Sequence, residues 1–508
     1  MNTSATATGD SDDIAQLAKG GRTNTLGFVV RLIARIPFLV IATHLYGAEA
    51  LGRFASALVL IEIIALICSL GEKRGLAQRL SEGAGENRAA ETNLVYDGIL
   101  LALAYSAVAA AVLWVFPEPM FPNGMNSDWD LWLIATIPAF AVTEILLAAQ
   151  AYRFDIATTV RARAVVEPWT ISIGAGVFFY FPATRDSGLA LAFIVSIYAG
   201  LLTALWPFLR TYGLPRGWRP HPSPMLAISA RAFPLVGADA IERGTRLLDI
   251  FILGLFAPPQ AVGIYYAAQQ IASLPQKLKT SFEPILSPVI TKNLRIGNMD
   301  AIAAQVRQVG FWIIAIQLGI ALVLGVPGEA VMGLWGPDYV AGTAALAFLL
   351  AAEVVASMAV VSESVLVYIA RKRNLAISVG IIALQAVLTI VLIEMAQRME
   401  LGRGFQAAGA AGALMVALGV SSLVKALLLK HLLGAPVSNW RWALVYAAAP
   451  AVVVGYAFTW APEWMELVIG IPAVLGTYAL VIWRRGFSDE DKVLFRKQAA
   501  SEANNDPA

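Results

Sequence analysis

Residues 24–54 read NTLGFVVRLIARIPFLVIATHLYGAEALGRF, a stretch apolar enough and long enough to cross a bilayer, yet it carries Arg31 and Arg35. Residues four apart share one face of a helix. A helix that begins near Asn24 places Arg35 roughly 16 Å deep, close to the middle of a ~30 Å hydrocarbon core. An arginine at that depth costs about 2.5–3.5 kcal/mol. Both arginines must therefore face a wet cavity or a partner rather than lipid.

The same design returns in the second half of the chain. The first apolar stretch ends in LYG and then ALGRF at residues 50–54, and a later apolar run ends in LFA and then AVGIY at residues 261–265. Basic residues, here Arg243 and Arg246, again precede the apolar run. Internal repeats are a common architecture of membrane transporters, so we expect two similar helical bundles in one chain.

The composition is that of an all-α polytopic membrane protein. Of 508 residues, 58% are hydrophobic and only 14% are charged, whereas soluble proteins carry about 25% charged residues. The single cysteine, Cys68, excludes a disulfide within the chain, and the three histidines are scattered. The chain lacks the glycine-rich loop with Lys-Ser/Thr that cradles nucleotide phosphates. We expect no catalytic constellation, metal or cofactor, and no nucleic-acid partner.

Apolar runs predict about 14 transmembrane helices of ~20 residues or more. The first two cover residues 24–46 and 48–70, and the weakest, 260–290, is expected to be broken by prolines that include Pro275. The predicted organisation is a cytoplasmic N-terminal tail, a first six-helix lobe, a cytoplasmic linker, a second six-helix lobe, a C-terminal helix pair and a cytoplasmic tail, at residues 1–22, 23–210, 211–225, 226–433, 434–485 and 486–508.

Charges in the connecting loops support this helix count. Basic residues follow the even-numbered helices, as in Arg161 and Arg163 after the fourth and Arg371-Lys372-Arg373 after the tenth. Odd-numbered connections such as 117–130 have none, and the exceptions are Arg185, Arg398 and Arg403. By the positive-inside rule, both termini are cytoplasmic.

Ionisable residues at membrane depth are the candidate functional residues, because a charge inside a bilayer is expensive. The candidates for substrate binding are arginines, whose guanidinium forks suit phosphate oxygens: Arg31, Arg35, Arg243 and Arg246. The candidates for ion coupling are acids: Glu62, Glu144, Asp249, Glu353, Glu363 and Glu394.

Static pairing is the alternative role for these charges. Asp239 with Arg243, and Glu242 with Arg246, are spaced to neutralise each other on a helix. The glutamates could likewise pair with basic residues of neighbouring helices. Lys425 is expected to snorkel to the cytoplasmic interface.

On these residues the chain resembles a known family, the Wzx-like bacterial polysaccharide flippases of O-antigen and exopolysaccharide synthesis. The matching features are the pair Arg31 and Arg35 followed by LYGAEALGRF at 45–54, the basic-apolar run 242–256 followed by VGIYYAA at 262–268, and the fourteen-helix layout. This family belongs to the superfamily that also contains multidrug/toxin extruders and the lipid II flippase of peptidoglycan synthesis.

The resemblance implies two six-helix lobes around a central cavity, a further helix pair, and transport by alternating access. It implies a polyprenyl-diphosphate-linked oligosaccharide as cargo, moved from the cytoplasmic to the periplasmic leaflet of the bacterial inner membrane for surface polysaccharide synthesis. The polymerase and glycosyltransferases of the same pathway are candidate partners. The charges fit this cargo, because a diphosphate needs buried cations while a polyprenyl tail can stay in lipid.

Three alternative functions fit these residues less well. A drug/cation antiporter of the same superfamily would centre on acids rather than arginines, and would leave the last helix pair unexplained. A membrane-embedded polysaccharide polymerase or glycosyltransferase would need a large periplasmic loop, and residues 117–130 are too short for one. A structural scaffold does not explain arginines near the bilayer midplane.

Overall fold

The structure is a computed structural model that describes residues 33–82, 88–220, 247–280 and 293–487, with single positions at 30, 225, 229, 230, 236, 237, 244, 290 and 291. Every regular element in these residues is helical. The predicted tail 1–22 and nearly all of the predicted tail 486–508 lie outside them. The chain divides into two compact units, residues 1–267 and 268–508. The predicted lobe and linker boundaries stay predictions.

The described helices that begin in the first unit are, in chain order, α1 (33–46), α2 (Gly47–Cys68), α3 (Glu72–Glu82), α4 (Arg88–Val115), α5 (Thr136–Tyr152), α6 (Ile156–Val160), α7 (Glu167–Tyr180), α8 (Gly188–Thr211), α9 (Leu247–Phe256) and α10 (Pro259–Thr280). A 3-10 turn, Asp128–Ala135, leads into α5, and a π-helical turn, Arg161–Val166, joins α6 to α7. Helix α5 is central, because it packs against α2, α3, α4 and α8.

The first two predicted transmembrane helices meet at Gly47. Residues Ile33–Cys68 form one long apolar stretch, but Gly47 has φ 78° and ψ 177°, a conformation that favours glycine. The last turn of α1 is π-helical, and the Tyr46 hydroxyl donates to the Ala175 carbonyl of α7 at 2.7 Å. The break between α1 and α2 therefore lies where the sequence predicts it.

The start of the predicted linker is fixed to the first unit. The Thr92 hydroxyl of α4 donates to the Tyr212 carbonyl at 3.0 Å, and the Tyr96 hydroxyl donates to the Gly213 carbonyl at 3.1 Å. The Trp218 indole N–H donates to Asp97 Oδ1 at 2.8 Å. Residues 212–218 are thus held against the first turns of α4 rather than forming a free connection.

The described helices that begin in the second unit are α11 (Met299–Gly325), α12 (Gly328–Gly333), α13 (Thr343–Ile369), α14 (Arg371–Arg398), α15 (Arg403–Leu433), α16 (Ala443–Phe458) and α17 (Glu463–Gly486). Helix α13 packs against α11 and α15, and α15 packs against α14. The core between α11, α13 and α15 is aliphatic and includes Ile302, Val361, Val365 and Leu429.

The expected break in the weakest predicted span is not found at Pro275. Helix α10 runs unbroken from Pro259 to Thr280 and contains this proline. Proline removes one backbone donor, and the Gln317 amide of α11 donates to the Pro275 carbonyl at 2.5 Å. Residues 281–289, which carry the other prolines of this span, lie outside the described residues.

The C-terminal helices α16 and α17 belong to the second unit as a packed pair. Both contact α11, with a core that includes Phe311, Ala447 and Val474. The Tyr478 hydroxyl of α17 donates to the Ala315 carbonyl of α11 at 2.7 Å. The apolar run after residue 434 therefore folds as the predicted helix pair, packed against α11 of its own unit.

The membrane class predicted from composition is confirmed. Nine stretches of the described residues are long and apolar enough to cross a bilayer, and the shorter apolar helices α9 and α16 add to them. One of the nine, Ile33–Cys68, contains both of the first two predicted helices. The chain is a multi-pass, all-α membrane protein.

Packing of the C-terminal pair is tested at Gly455. A Cβ at Gly455 would lie 2.4 Å from Val326 Cγ1 and 2.9 Å from Val474 Cγ2. We expect Gly455→Ala to destabilise the protein by about 1–3 kcal/mol, as overpacking does. Gly476→Ala is the matched control, since a Cβ there meets nothing within 4 Å. Thermal unfolding in detergent, followed by size-exclusion chromatography, measures both. Equal stability of the two variants would contradict the packing.

Candidate functional site

The two repeat motifs predicted from the sequence pack against each other. A Cβ at Gly52 would lie 1.7 Å from the Pro259 carbonyl oxygen, and a Cβ at Gly263 would lie 2.0 Å from the Ala48 carbonyl oxygen. Pro259 lies four positions before Gly263, and Ala48 lies four positions before Gly52. Each glycine therefore faces the equivalent carbonyl of the other repeat. Such reciprocal contacts are what a two-fold axis produces, and only glycine permits so close an approach.

Side chains beside the glycines follow the same symmetry. The Gln260 amide of α10 donates to Glu49 Oε2 of α2 at 2.6 Å. Each of these residues lies three positions before its glycine, so equivalent residues meet across the axis. Arg53 donates to Glu49 Oε1 and to Asn126 Oδ1, each at 2.6 Å. The two repeats are therefore in a defined register, in which a residue of the second corresponds to the residue 211 positions earlier.

Arg35 lies on the packed side of α1, yet its side chain is exposed. At ~100° per residue, Arg35 falls in the middle of the face formed by buried residues, which are Ala34, Phe38, Leu39 and Ala42. The opposite face carries exposed apolar residues, which are Ile33, Ile36 and Val40. An exposed guanidinium on the protein-facing side indicates an opening in front of Arg35 rather than lipid.

The surroundings of Arg35 include residues of α2 and α10, the second helix of each repeat. Tyr266 of α10 lies within electrostatic reach of both Arg35 and Glu62 of α2. No carboxylate within the described part of the chain forms an ion pair with Arg35. The role of Arg35 in binding an anionic ligand stays a prediction.

The other three candidate arginines, Arg31, Arg243 and Arg246, lie outside the described residues, as do Asp239 and Glu242. Their predicted roles and pairings therefore stay predictions.

Glu144, a candidate for ion coupling, belongs to a buried cluster. Arg163 is 8% exposed and donates to Glu144 Oε1 of α5 at 2.5 Å and to Glu167 Oε1 of α7 at 2.8 Å. Its guanidinium lies 4.5 Å from the centre of the Phe140 ring. Glu167 packs against Gly200 of α8, where a Cβ would lie 2.4 Å from its Oε1. The cluster joins α5, α7 and α8.

The role predicted for Arg163 as a loop cation is wrong, because the chain stays helical through residues 156–180 and turns Arg163 inward. A local signal for this placement was present. Arg163 and Glu167 are four residues apart, the spacing of a helical ion pair.

The candidate acids of the second unit differ in their surroundings. Glu363 of α13 accepts from Lys425 of α15 at 2.8 Å, and Glu394 accepts from Arg398 at 3.3 Å in a well-exposed pair on α14. Glu353 lies one turn before Ser357, whose hydroxyl donates to its carbonyl. Lys425 is 4% exposed, so the expectation that it snorkels is wrong. Glu363 reaches it on a neighbouring helix instead.

Asp249 of α9, the remaining acid, is fully buried. Its Oδ2 accepts a hydrogen bond from the Tyr265 hydroxyl of α10, and its Oδ1 accepts from the Ile250 N–H at 2.9 Å. Ion coupling by any of the six acids stays a prediction.

Burial of the Arg163 cluster yields a direct test. Arg163→Ala leaves Glu144 and Glu167 without the cation they share, and breaking a buried pair costs about 3–5 kcal/mol. We expect low abundance in the membrane, measured by quantitative immunoblotting. A triple variant that combines Arg163→Met with Glu144→Gln and Glu167→Gln should restore the abundance, because its neutral side chains need no counter-ion. Normal abundance of Arg163→Ala would show that the cluster contributes little to folding.

Comparison with known proteins supports this architecture. Residues 17–294 match the family described as "Polysaccharide biosynthesis protein". No curated protein sequence shows significant similarity to the chain.

Among solved structures, the lipid II flippase MurJ in an inward closed conformation is similar, with a TM-score of 0.68, 12% identity, and coverage of 91% of this chain and 99% of that chain. Two structures of a multidrug resistance MATE family transporter of the MOP superfamily are also similar. The inward-facing one has a TM-score of 0.65, 15% identity, and coverage of 80% and 98%. The outward-facing one has a TM-score of 0.56 and 15% identity, with coverage of 83% of this chain and 96% of that chain. At these identities the likeness shows the fold alone.

Proposed function

Because the chain belongs to the polysaccharide biosynthesis protein family, we propose that it is a flippase for polyprenyl-diphosphate-linked oligosaccharide. It would move this lipid from the cytoplasmic to the periplasmic leaflet of the bacterial inner membrane, with both of its own termini in the cytoplasm. The pathway would be surface polysaccharide synthesis, of the O-antigen or exopolysaccharide kind.

The observation that carries the proposal is the placement of Arg35. Its guanidinium is exposed on the protein-facing side of α1, at a depth where the sequence predicts hydrocarbon. Such a group is costly unless it meets water or an anion. Guanidinium forks bind phosphate oxygens in pairs. A lipid diphosphate passing through the protein would provide those oxygens.

The register of the repeats supports a second arginine for the second phosphate. In the register set by Gly52 and Gly263, Arg246 is the sequence equivalent of Arg35. Two equivalent arginines, one for each repeat, match the two phosphates of the cargo. Arg31 and Arg243, which come four and three residues before these positions in the sequence, are further candidates for binding the diphosphate.

The fold alone fits both a flippase and an antiporter, and the charged residues favour the flippase. One structure of the same fold is named a lipid II flippase, and others are named multidrug transporters. An antiporter for organic cations would place acids in front of its cargo. The exposed charge on the packed side of α1 is an arginine, which favours an anionic cargo.

Substitution of Arg35 tests the proposal. We expect Arg35→Ala to reduce translocation at least about tenfold, equivalent to ~1.4 kcal/mol of lost interaction, while the protein still accumulates. Arg35→Lys should restore activity only in part, because a point charge cannot replace the bidentate fork. The measurement is the periplasmic appearance of the lipid-linked oligosaccharide, normalised to protein in the membrane.

Arg398→Ala is the matched control, since Arg398 is exposed and contacts Glu394 on its own helix. It should translocate like the wild type. Normal translocation by an abundant Arg35→Ala protein would overturn the assignment of Arg35 to the diphosphate.

A further inference from the structure

Exposed basic residues gather at one end of the helix pair α14 and α15. Arg371, Lys372 and Arg373 begin α14, and Lys430 lies in the last turn of α15. All four side chains are exposed, as is that of His431, which follows Lys430. The four Lys and Arg residues form the basic patch. By the positive-inside rule this end of the pair is cytoplasmic.

The packing of the two helices places both basic segments at the same level. A loop at residues 399–402 joins α14 to α15, which pack closely against each other, and so short a loop makes them antiparallel. A Cβ at Gly409 would lie 3.3 Å from Leu392 Cβ. Lys430 is 21 residues after Gly409, and Arg371 is 21 residues before Leu392. At one rise per residue, Lys430 and Arg371 therefore stand opposite each other.

Each basic segment continues an exposed apolar surface. Leu375, one turn after Arg371, is exposed, and so is Leu427, about one turn before Lys430. The exposed row on α14 continues with residues four or eight apart, which are Val379, Val387, Val391 and Met395. In a membrane protein such a row contacts acyl chains. The basic patch therefore lies where the head groups of the same lipids lie.

The last two helices of the first predicted lobe, α7 and α8, hold the arginines at this end differently. Arg163 is buried between two glutamates. Arg161 donates to Thr158 Oγ1 at 2.9 Å, and the Arg210 guanidinium lies 4.9 Å from the centre of the Trp206 ring. The basic patch has no ion pair or side-chain hydrogen bond within the part of the chain that the structure describes. The bias of cytoplasmic loops toward basic residues does not require this difference.

The two helices supply no acid to offset the basic patch. Residues 403–433 contain neither Asp nor Glu, and the acid of α14, Glu394, lies near the opposite end of that helix. Glu363 of the neighbouring α13 is held by Lys425. Clusters of four or more Lys and Arg residues at the cytoplasmic end of a membrane helix attract anionic lipids. Phosphate oxygens accept charge-assisted hydrogen bonds from both kinds of side chain.

We propose that the basic patch binds the phosphate of an anionic glycerophospholipid of the cytoplasmic leaflet. Arg371 and Lys430, which stand opposite each other, would hold the phosphate between the two helices, and Lys372 and Arg373 would add to the attraction. The acyl chains would follow the exposed row of α14 that begins at Leu375. The inference is independent of the proposed flippase function, because its partner is a lipid of the surrounding membrane.

Native mass spectrometry of the full chain, released from a neutral detergent, tests the site. Phosphatidylglycerol or phosphatidylcholine with the same acyl chains is added, and the lipids that stay bound are counted. The wild type should retain phosphatidylglycerol in preference to phosphatidylcholine. Arg371→Gln with Lys430→Gln should lower the affinity for the most tightly bound phosphatidylglycerol at least about tenfold, because two of the four cations are removed.

The double variant keeps Lys372 and Arg373, so the loop retains basic residues for correct insertion. Arg484→Gln with Arg485→Gln is the matched control, since it removes two exposed arginines from the predicted cytoplasmic end of α17. It should bind phosphatidylglycerol like the wild type. Size-exclusion chromatography checks that both variants are monodisperse.

A measurement on the wild type needs no substitution. Raising the ionic strength from about 0.1 M to about 1 M shortens the Debye length from ~10 Å to ~3 Å. The preference for phosphatidylglycerol should then fall toward equal retention of the two lipids. A preference that is unchanged by salt would contradict an electrostatic site.

Equal retention of phosphatidylglycerol by the double variant and its control would overturn the proposal, as would equal retention of both lipids by the wild type at low salt. Farnesyl diphosphate is the probe for the other possible occupant, the diphosphate of a cargo lipid. If the basic patch bound it at least about tenfold more tightly than phosphatidylglycerol, the assignment to a membrane lipid would be wrong.

Discussion

The backbone contact between Gly52 of α2 and Gly263 of α10 is the constraint on which the other assignments depend. A side chain on either glycine would overlap a carbonyl of the opposite helix, so this close approach of the two helices requires glycine at both positions. Because the contact is reciprocal, it fixes how one repeat corresponds to the other. The equivalence of Arg35 with Arg246, and of Phe38 with Asp249, follows from that register alone.

The charges within the helices fall into two groups. Arg163 and Lys425 are buried and held by carboxylates of neighbouring helices, which offsets the cost of removing them from water. Arg35 is exposed on the packed side of its helix and has no such carboxylate among the described residues. Stable helix packing accounts for the first group. For the second group we propose a ligand that brings its own negative charge.

Sequence reasoning recovered the features that depend on local pattern. Apolar length predicts the membrane helices and the C-terminal pair, and depth along α1 singles out Arg35. Contacts between residues far apart in the sequence could not be predicted in this way. The motifs ALGRF and AVGIY are recognisable as repeats, but only the fold brings their glycines together. The burial of Lys425 likewise depends on Glu363, 62 positions away in sequence.

Two further features have a signal in the sequence itself. Arg163 and Glu167 have the spacing of a helical ion pair, which argued against a loop. Aligning the two motifs on their glycines would have shown Asp249 opposite Phe38 and Tyr265 opposite Phe54. The alignment alone, however, does not show that Phe38 contacts Phe54 or that Asp249 contacts Tyr265, which only the structure shows.

Cross-linking across the repeat axis tests the register most directly. Glu49→Cys and Gln260→Cys are combined with Cys68→Ser and a protease site inserted after Ser223, and a short thiol-reactive cross-linker is added. The register predicts that the two fragments stay joined after proteolysis, whereas a control pairing Gln78→Cys with Gln260→Cys separates. Separation of the Glu49–Gln260 fragments under conditions in which both cysteines react would contradict the register.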